Sequence, residues 1–509
     1  MLIKSPNGRG IFRPYKGTQP LNTPTYDLIV IGGGPGGVAA ATSAALRGKK
    51  VALVNAKELM GYGLEGAFKS KTMYEIAREF YILRTRWEGV VTGARVDFGA
   101  IYQKSEGGAS RLRSVRAQQL QEVGVEIHYG WGKFIDPHTL HVDLTAGGEL
   151  TLTATNFVIA TGTSPRHLRG MEPDGKHILT SDEVVNIDRP IESMLILGAG
   201  VIGCEFASIF ASLGTRVTLI DTQARIFSHD DPDISEMLER SMHMLDIDIL
   251  RSARAESMEL VDGKVHTSLR GGRVIESDMA LLAIGRVPNT SGMGLDIAGV
   301  ELNKWNYIPT TDAMQTNVPH IYSVGDVGLR DTEHDLSLVH IAEAEGRTAI
   351  QHMYGESEAL STVHVPFIVF TLPMVAGAGL NETQARELYG DKIRVGKFAH
   401  VRNHRAHTQQ SLQGFVKLIV GPEGDDRVLG ARGVGDGVDS VIGEVSIMIQ
   451  HGLPYTLLLD SIQAHPSLSE SLQGAAFMIC GESPKYTSDE EYGIVCQSMP
   501  FLQTIVRRR

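Results

Sequence analysis

The sequence predicts an α/β fold followed by a smaller α+β domain, and three observations support this prediction. A buried strand runs into a glycine-rich turn and a helix at residues 27–46, and the same pattern recurs at residues 194–210. Continuously apolar strands of this kind are typical of parallel sheets. From about residue 361 the pattern changes to short β-rich runs followed by helical stretches, which indicates the α+β domain.

The first unit begins with the apolar run 28–31, and its glycines follow in the spacing Gly32-x-Gly34-x-x-Gly37. An Ala-rich stretch at residues 38–46 then favours a helix. Glycine at these places permits a tight turn and lets the backbone approach a pyrophosphate, whose charge then lies at a helix N-terminus. The first unit is therefore predicted to be a Rossmann-like dinucleotide-binding domain.

The second strand of this unit, residues 50–54, ends at Asn55. Asn55 lies 23 positions after Gly32, where this fingerprint usually has an Asp or Glu that binds a ribose hydroxyl. Asparagine can still form hydrogen bonds there, but it brings no charge. Asn55 is therefore retained as a predicted cofactor contact.

The second unit repeats this arrangement after the apolar run 194–197. Its glycines keep the same spacing and are Gly198, Gly200 and Gly203. The next strand, residues 216–220, ends at Asp221, again 23 positions after the first glycine. Two fingerprints that share the same internal offset are stronger evidence than a single fingerprint. They predict two dinucleotides in two Rossmann-like domains.

Three further strands end in turns of small residues, and these turns close the two units. The turn residues are Thr161 and Gly162, then Gly285, then Gly325 and Asp326. The predicted domains are an arm at 1–24, a first dinucleotide domain at 25–180 and 291–360, a second at 181–290, an α+β domain at 361–478 and a tail at 479–509.

The composition excludes several functional classes. The net charge of −11 argues against a nucleic-acid partner, and no apolar run approaches the length of a membrane span. The cysteines are only three, Cys204, Cys480 and Cys496, which excludes a disulfide scaffold and a Cys-rich metal site. We therefore predict a cytoplasmic protein without a metal centre.

The order of the motifs resembles that of the flavoprotein pyridine nucleotide-disulfide oxidoreductases. The motifs lie at residues 32–37, 160–162, 198–205, 325–326 and 465–470. The family includes dihydrolipoamide dehydrogenase, glutathione reductase, mercuric reductase and soluble pyridine nucleotide transhydrogenase. The resemblance covers about residues 25–478.

This resemblance implies FAD in the first unit, NAD(H) or NADP(H) in the second, and a homodimer formed through the C-terminal domain. It implies that Lys71 and Glu205 form an ion pair beside the flavin N5, and that His465 and Glu470 reach the partner's flavin as an acid/base dyad. It places Asp326 at the ribityl chain. The predicted cofactor contacts are Gly32, Gly34, Gly37, Asn55, Thr161, Gly162, Gly198, Gly200, Gly203, Asp221, Gly285, Gly325 and Asp326.

Simpler interpretations of the implied catalytic residues stay open. Lys71 is also consistent with a solvated surface lysine, and Glu205 with a polar residue on one face of its helix. Ser467-x-x-Glu470 has the pattern of a capping box, which would explain the glutamate without catalysis. A lone histidine such as His465 is more often structural or exposed.

The sequence departs from the family at its redox centre, which is a Cys-x4-Cys pair just before a Ser-Lys. Aligned on Ser70 and Lys71, the two cysteine places hold Tyr62 and Ala67. Neither side chain can form a disulfide or a thiolate, so a relay through a protein dithiol is predicted to be absent. Loss of the dithiol would leave a substrate pocket lined by Tyr62 and Ala67. Cys480 and Cys496 are interpreted as ordinary residues of the tail.

Three functional hypotheses follow. The first is an FAD-dependent pyridine nucleotide transhydrogenase, and the second is an NADH dehydrogenase that reduces a small non-disulfide acceptor such as a quinone. The third is an electron-transfer subunit whose acceptor is a protein. Asp221 should repel a 2′-phosphate and favour NADH, although Arg225, four residues on, could soften this preference.

Overall fold

The computed structural model describes residues 25–330, 337–356, 359–362 and 364–481. The predicted N-terminal arm, most of the predicted tail and Cys496 lie outside these ranges. In the described part of the chain, no helix is both long and apolar enough to cross a bilayer.

The first segment of the fold is a mixed sheet covered by helices. Its strands are β1 (Thr25–Ile31), β2 (Val51–Asn55), β3 (Glu126–Asp136), β4 (Thr139–Leu144), β5 (Glu149–Ile159) and β6 (Thr163–Pro165). Its helices are α1 (Pro35–Leu46), α2 (Lys69–Thr85) and α3 (Phe98–Glu122), and a π-helix covers Gly63–Phe68. β1 lies between β2 and β5 in parallel, whereas β4 pairs antiparallel with β3 and β5.

The predicted elements of this segment are confirmed, but the 25-residue helix α3 was not predicted. Its sequence contains Gly107 and Gly108, which lower helix propensity. Tertiary packing requires glycine at position 108, because a Cβ there would lie 2.8 Å from the ring of Phe68. The packing of α3 on the π-helix therefore outweighs the local signal.

The second segment contains a five-stranded parallel sheet in the order β10-β9-β8-β14-β7 and an antiparallel sheet of β11, β12 and β13. Its strands are β7 (Ile178–Thr180), β8 (Ser193–Leu197), β9 (Arg216–Ile220), β10 (Asp248–Leu250), β11 (Ala255–Val261), β12 (Lys264–Leu269), β13 (Val274–Ser277), β14 (Met279–Leu282) and β15 (Arg286–Pro288). Its helices are α4 (Val201–Ser212) and α5 (Pro232–Met244), with a 3₁₀ turn at Val184–Asn186. The second Rossmann-like unit is confirmed.

The chain then returns to the first sheet. The elements here are β16 (Ile308–Thr310), β17 (Ile321–Ser323), a 3₁₀ turn at Gly325–Val327, β18 (Gly328–Arg330) and α6 (Val339–Met353). β17 joins the edge of β5 in parallel, and β15 pairs antiparallel with β6 where the two segments meet. β17 therefore completes the first sheet with a part of the chain that follows the second segment.

The C-terminal segment is an α+β domain, as predicted. Its antiparallel sheet has the order β19-β20-β23-β22-β21, from β19 (Phe367–Val369), β20 (Val375–Gly379), β21 (Arg394–Ala399), β22 (Phe415–Val420) and β23 (Val428–Val434). Its helices are α7 (Glu382–Tyr389), α8 (His404–Thr408), α9 (Asp439–Gln450), α10 (Thr456–Asp460) and α11 (Ser469–Cys480), with 3₁₀ turns at Gly390–Lys392 and His400–Arg402. The fold class is confirmed, while the exact domain boundaries stay a prediction.

Two buried cations attach the second segment to the C-terminal sheet. Arg432 on β23 forms an ion pair of 3.0 Å with Asp230, and both side chains are buried. Lys417 on β22 lies 2.8 Å from Asp231 and 2.9 Å from Asp233 at the start of α5, and 3.1 Å from Glu382 on α7. The nucleotide-binding segment is thereby held against the C-terminal domain.

Candidate active site

The first glycine turn has the geometry that its motif predicts. Gly32 has a φ of +107°, and a Cβ on Gly37 would lie 2.0 Å from the Gly32 carbonyl oxygen. Gly34 differs, because the nearest atom to a Cβ there is 3.9 Å away and its φ is −70°. The protein itself therefore does not require glycine at position 34, which stands at the N-terminus of α1.

The three glycines of the second turn have the same surroundings as those of the first turn. Gly198 has a φ of +104°, and a Cβ on Gly203 would lie 1.8 Å from the Gly198 carbonyl oxygen. A Cβ on Gly200 would meet nothing within 4 Å. The open space at Gly34 and Gly200 is what a pyrophosphate at a helix N-terminus would fill.

Asn55 and Asp221 bind the glycine turns from equivalent strand ends. The backbone N–H of Gly33 donates to Asn55 Oδ1 at 2.8 Å, and the N–H of Ala199 donates to Asp221 Oδ2 at 2.6 Å. Asp221 Oδ1 also accepts from Gln223 N at 2.8 Å. Both side chains thus fix a turn, a role that the sequence analysis did not predict.

Arg225 is directed at the backbone of its own loop. Its Nη2 donates to the carbonyl oxygens of Ser228 and Asp230 at 2.8 and 2.7 Å. The expectation that Arg225 softens the charge of Asp221 gains no support from these contacts. Asp221 keeps its carboxylate at the end of β9 without an ion pair among the described residues.

The other predicted cofactor contacts lie in turns between the two segments. Gly162, Gly285 and Gly325 all have positive φ, at +64°, +100° and +70°. Thr161 Oγ1 donates to the carbonyl oxygen of Asn289 at 2.8 Å, and Thr163 Oγ1 donates to Asp326 Oδ2 at 3.3 Å. These hydrogen bonds hold the turns in place.

Lys71 and Glu205 form the ion pair that the resemblance implied. Lys71 Nζ lies 2.8 Å from Glu205 Oε2, and Glu205 is buried on α4. Glu205 Oε1 accepts from the backbone N–H of Phe370, and the Phe370 ring centroid lies 5.0 Å from Lys71 Nζ. Interpretation of the two as separate surface residues is therefore wrong, and three segments of the chain converge on one charged pair.

Tyr62 and Ala67 bracket the π-helix Gly63–Phe68, a type of helix that is frequent at functional sites. The Tyr62 ring lies on Gly66, where an added Cβ would come within 2.1 Å of it. The Arg286 guanidinium lies 4.2 Å from the ring centroid and donates to Ser181 Oγ. The aromatic ring covers part of the site that was expected to be left open.

Burial raises the pKa of the Tyr62 hydroxyl, and the neighbouring Arg286 charge opposes this rise. Tyr62 therefore stays protonated at neutral pH. The phenol is a proton donor and acceptor for hydrogen bonds at the place of the family's first cysteine.

His465 and Glu470 form a hydrogen-bonded dyad, with 2.8 Å between Nδ1 and Oε1. Burial would raise the pKa of Glu470, but hydrogen bonds from His465 and from the Ser467 N–H lower it below its ordinary value. The predicted capping box is only half formed. Glu470 Oε2 accepts from Ser467 N at 2.9 Å, whereas Ser467 Oγ has no partner and the helix begins at Ser469.

These clusters remain separate within one chain, since no hydrogen bond or ion pair of the described residues joins the His465 dyad to the Lys71 pair. The described cysteines lie in other environments. Burial raises the pKa of Cys204, whose thiol donates to the Ala199 carbonyl oxygen, and Cys480 ends α11.

The chain matches known proteins over most of its length. Residues 26–346 match the sequence profile of the pyridine nucleotide-disulphide oxidoreductases, and residues 365–476 match the dimerisation domain of the same proteins. The chain belongs to the pyridine nucleotide-disulphide oxidoreductase family. This family is FAD- and NAD(P)-dependent, and the matching dimerisation domain supports a homodimer.

Its relatives in the family include dihydrolipoyl dehydrogenases. The enzyme of Bacillus subtilis is 33% identical over 467 residues, which cover 89% of this chain and 98% of the relative. That of Chlorobaculum parvum is 31% identical over 460 residues, covering 89% and 96%.

Solved structures of the family agree with this fold. LpdA from Mycobacterium tuberculosis superposes with a TM-score of 0.82 at 27% identity, covering 88% of this chain and 98% of LpdA. The HOCl-induced flavoprotein disulfide reductase RclA from Escherichia coli, as its Cu(II) complex, gives a TM-score of 0.81 at 25% identity, covering 90% and 100%.

The residues present fit both cofactors of this family. Each glycine turn leaves an open place at a helix N-terminus, at Gly34 for FAD and at Gly200 for the nicotinamide nucleotide. An acidic side chain in the first turn of α1 or α4 would repel a pyrophosphate at Gly34 or Gly200. Neither first turn contains one.

Sequence reasoning missed three residues that contact the predicted ones, namely Phe370, Arg286 and His404. His404 Nδ1 lies 3.3 Å from Nε2 of His465. The only sequence signal was the concentration of histidines at positions 400, 404 and 407.

A separate group of His141, Asp143 and Glu149 on the exposed β4–β5 hairpin brings three ligand atoms within 4.8 Å of one another. The prediction of no metal centre therefore stays a prediction.

Proposed function

We propose that this protein passes hydride from NADH to FAD and on to a second acceptor without a protein dithiol, most like a soluble pyridine nucleotide transhydrogenase. The observation that carries the proposal is the chemistry of positions 62 and 67. A phenol and a methyl group stand where the resemblance expects two thiols. Cys204 cannot substitute, because it is a single, fully buried thiol that donates to the Ala199 carbonyl oxygen.

FAD supplies the redox chemistry when it is bound, because it accepts a hydride and returns two electrons. The protein supplies orientation and charge. The Lys71 ammonium, which is paired with Glu205 and lies over the Phe370 ring, is proposed to stand beside the flavin N5. A fixed positive charge stabilises developing negative charge without reorganisation during the reaction.

The arrangement around Asp221 favours NADH as the electron donor. Its carboxylate lies at the end of β9, where it would face the adenosine ribose and repel a 2′-phosphate. Arg225 donates to backbone carbonyls instead of facing that site. NADH is therefore expected to reduce the flavin with a higher kcat/KM than NADPH.

The second candidate acceptor is a quinone, and Tyr62 favours it. The Tyr62 ring is held between Gly66 and Arg286, and its protonated phenol can donate a hydrogen bond to a quinone oxygen. The proposed pocket is completed by His465 of the partner subunit. A protein acceptor in the cytoplasm is the remaining alternative, and the three cysteines of the chain suit that reducing compartment.

Anaerobic titration of the purified holoenzyme tests the proposal. NADH should reduce the flavin with two electrons per FAD, since no dithiol is available to take up two more. Reoxidation of the reduced enzyme by thio-NAD would support the transhydrogenase-like function, and reoxidation by a benzoquinone would support the quinone acceptor. Uptake of four electrons would overturn the proposal, and reoxidation only by a cell extract would favour a protein acceptor.

A further inference from the structure

The imidazole of His404 lies against the acid/base dyad. Its Nδ1 is 3.3 Å from Nε2 of His465, and the two rings meet edge to face with centroids 5.1 Å apart. Because Nδ1 of His465 already contacts Glu470, both nitrogens of this histidine have a partner within its own chain.

The contact is held by a buried residue and is not a chance meeting of two exposed rings. Asn403, which is 2% exposed, caps α8 by accepting from Arg405 N at 2.7 Å. Its Nδ2 donates to the Ser467 carbonyl oxygen at 2.9 Å and to Ser471 Oγ at 2.8 Å. Asn403 therefore ties the helix that carries His404 to the segment that carries the dyad.

The contacts from Glu470 to His465 and from His465 to His404 determine which ring nitrogens carry a proton. Glu470 is an acceptor because its pKa is lowered, so His465 keeps a proton on Nδ1. The remaining proton is then shared between His465 Nε2 and His404 Nδ1. Among the described residues, no other charged side chain forms a hydrogen bond or an ion pair with either imidazole.

We propose that His404 is a positioning residue that supplies a proton to Nε2 of His465 when the second acceptor is reduced. This rests on the second candidate of the proposed function and commits the acceptor to a class that takes up a proton with the hydride, such as a quinone. Such an acceptor gains one hydride and one proton to form a hydroquinone. Reduction of NAD takes a hydride alone and needs no proton from the dyad.

The balance of the step follows from this chain of contacts. The proton shared between His404 Nδ1 and His465 Nε2 moves through Nε2 to an oxygen of the acceptor, which also gains the hydride. NADH supplies the two electrons, and solvent returns the proton to His404. Glu470 holds His465 in one orientation throughout.

The test compares His404→Ser with His407→Gln, since His407 lies on the same helix but bonds to the Val401 carbonyl oxygen. Turnover of NADH with a benzoquinone should fall about three- to tenfold in His404→Ser, as expected for loss of one hydrogen bond to the dyad. The loss should appear in kcat rather than in the KM for the quinone, because His404 contacts His465 and is proposed to act through it. NADH to thio-NAD exchange should be unchanged, and His407→Gln should match the wild type in both assays.

Three outcomes would overturn either the role of His404 or the proposed function. If the wild type turns over quinone and His404→Ser has the same kcat as His407→Gln, the role of His404 is wrong while the proposed function stands. If the wild type reduces neither the quinone nor thio-NAD, the proposed function itself fails. Equal losses in both assays would indicate a structural effect, which also overturns the proton-supplying role.

Discussion

The Lys71 ammonium lies 2.8 Å from the Glu205 carboxylate, although 134 residues separate the two in the sequence. Glu205 is almost fully buried, whereas one third of the Lys71 side chain is exposed. A buried carboxylate is costly without a counter-charge, so the pair depends on α2 and α4 being packed together. The same contact directs the lysine toward the junction of the dinucleotide domains.

Replacing Lys71 by Met should destabilise the protein by about 2 kcal/mol, because it leaves Glu205 buried without its cation. Partial exposure of Lys71 keeps this below the cost at a fully buried pair. Glu205→Gln should cost less, since the amide still accepts from Phe370 N. Urea unfolding of both variants and the double variant measures the coupling, and strictly additive losses would contradict the pairing.

Alanine at Gly34 or Gly200 should spare folding and impair binding. A Cβ at either place meets no protein atom closer than 3.9 Å, so the melting temperature of the apoprotein should change little. FAD affinity should fall about tenfold or more in Gly34→Ala, and the KM for NADH should rise in Gly200→Ala, because the pyrophosphate loses space.

Gly37→Ala is the matched control for those two variants. Its Cβ would lie 2.0 Å from the Gly32 carbonyl oxygen, so this variant should be destabilised before any ligand is added. Thermal unfolding with and without FAD separates the two classes. Equal destabilisation in all three variants would show that the open places are not ligand sites.

The double variant Tyr62→Cys with Ala67→Cys should regain a dithiol. Its titration with NADH should then consume four electrons per FAD, since a disulfide takes up two beyond those of the flavin. Each single variant should still take up two electrons and serves as the control. A wild-type uptake already equal to that of the double variant would refute the assignment of positions 62 and 67.

Asp221→Asn should shift nucleotide preference toward NADPH. The amide oxygen can still accept from the Ala199 N–H, so the glycine turn keeps its shape while the negative charge is removed. The ratio of kcat/KM for NADPH to that for NADH should rise about tenfold, as expected for loss of one charge repulsion at a surface site. Asp221→Ala, which also removes the turn contact, should lower both values.

Stability should fall in acid partly through Asp231. Burial would raise its pKa, but Lys417 and two backbone N–H groups lower the pKa below the ordinary value of 3.8. A carboxyl with a lowered folded pKa contributes fully above its unfolded pKa and loses that contribution as the pH falls through the folded pKa. Denaturant midpoints between pH 7 and pH 3 should therefore drop less in Asp231→Asn than in the wild type, although Asp231→Asn starts lower.

The sequence predicts features that depend on neighbouring residues and misses those that depend on distant ones. The glycine turns were predictable because spacing alone sets their conformation. Strands β20 and β23 were missed because their sequences, VAGAG and VLGARGV, carry glycines that lower strand propensity.

The candidate site shows the same division. Pairing of Lys71 with Glu205 followed only from the resemblance, since no local pattern links α2 to α4. The contact of His404 with His465 spans 61 residues and had no signal beyond a local excess of histidine. The capping box of Ser467 and Glu470 lacks the serine half. Ser467 lies ahead of the first helical turn, so its hydroxyl does not reach the helix N–H groups.

The attachment of Asp230 and Asp231 to Arg432 and Lys417 limits how substrates can enter. Swinging the second segment away from the C-terminal domain would separate both ion pairs and expose the apolar core that the two share. Access must therefore come from small adjustments of loops and side chains. The domains of such an enzyme keep their relative positions during turnover. Substitutions in the loops around the site should therefore change turnover more than substitutions between the domains.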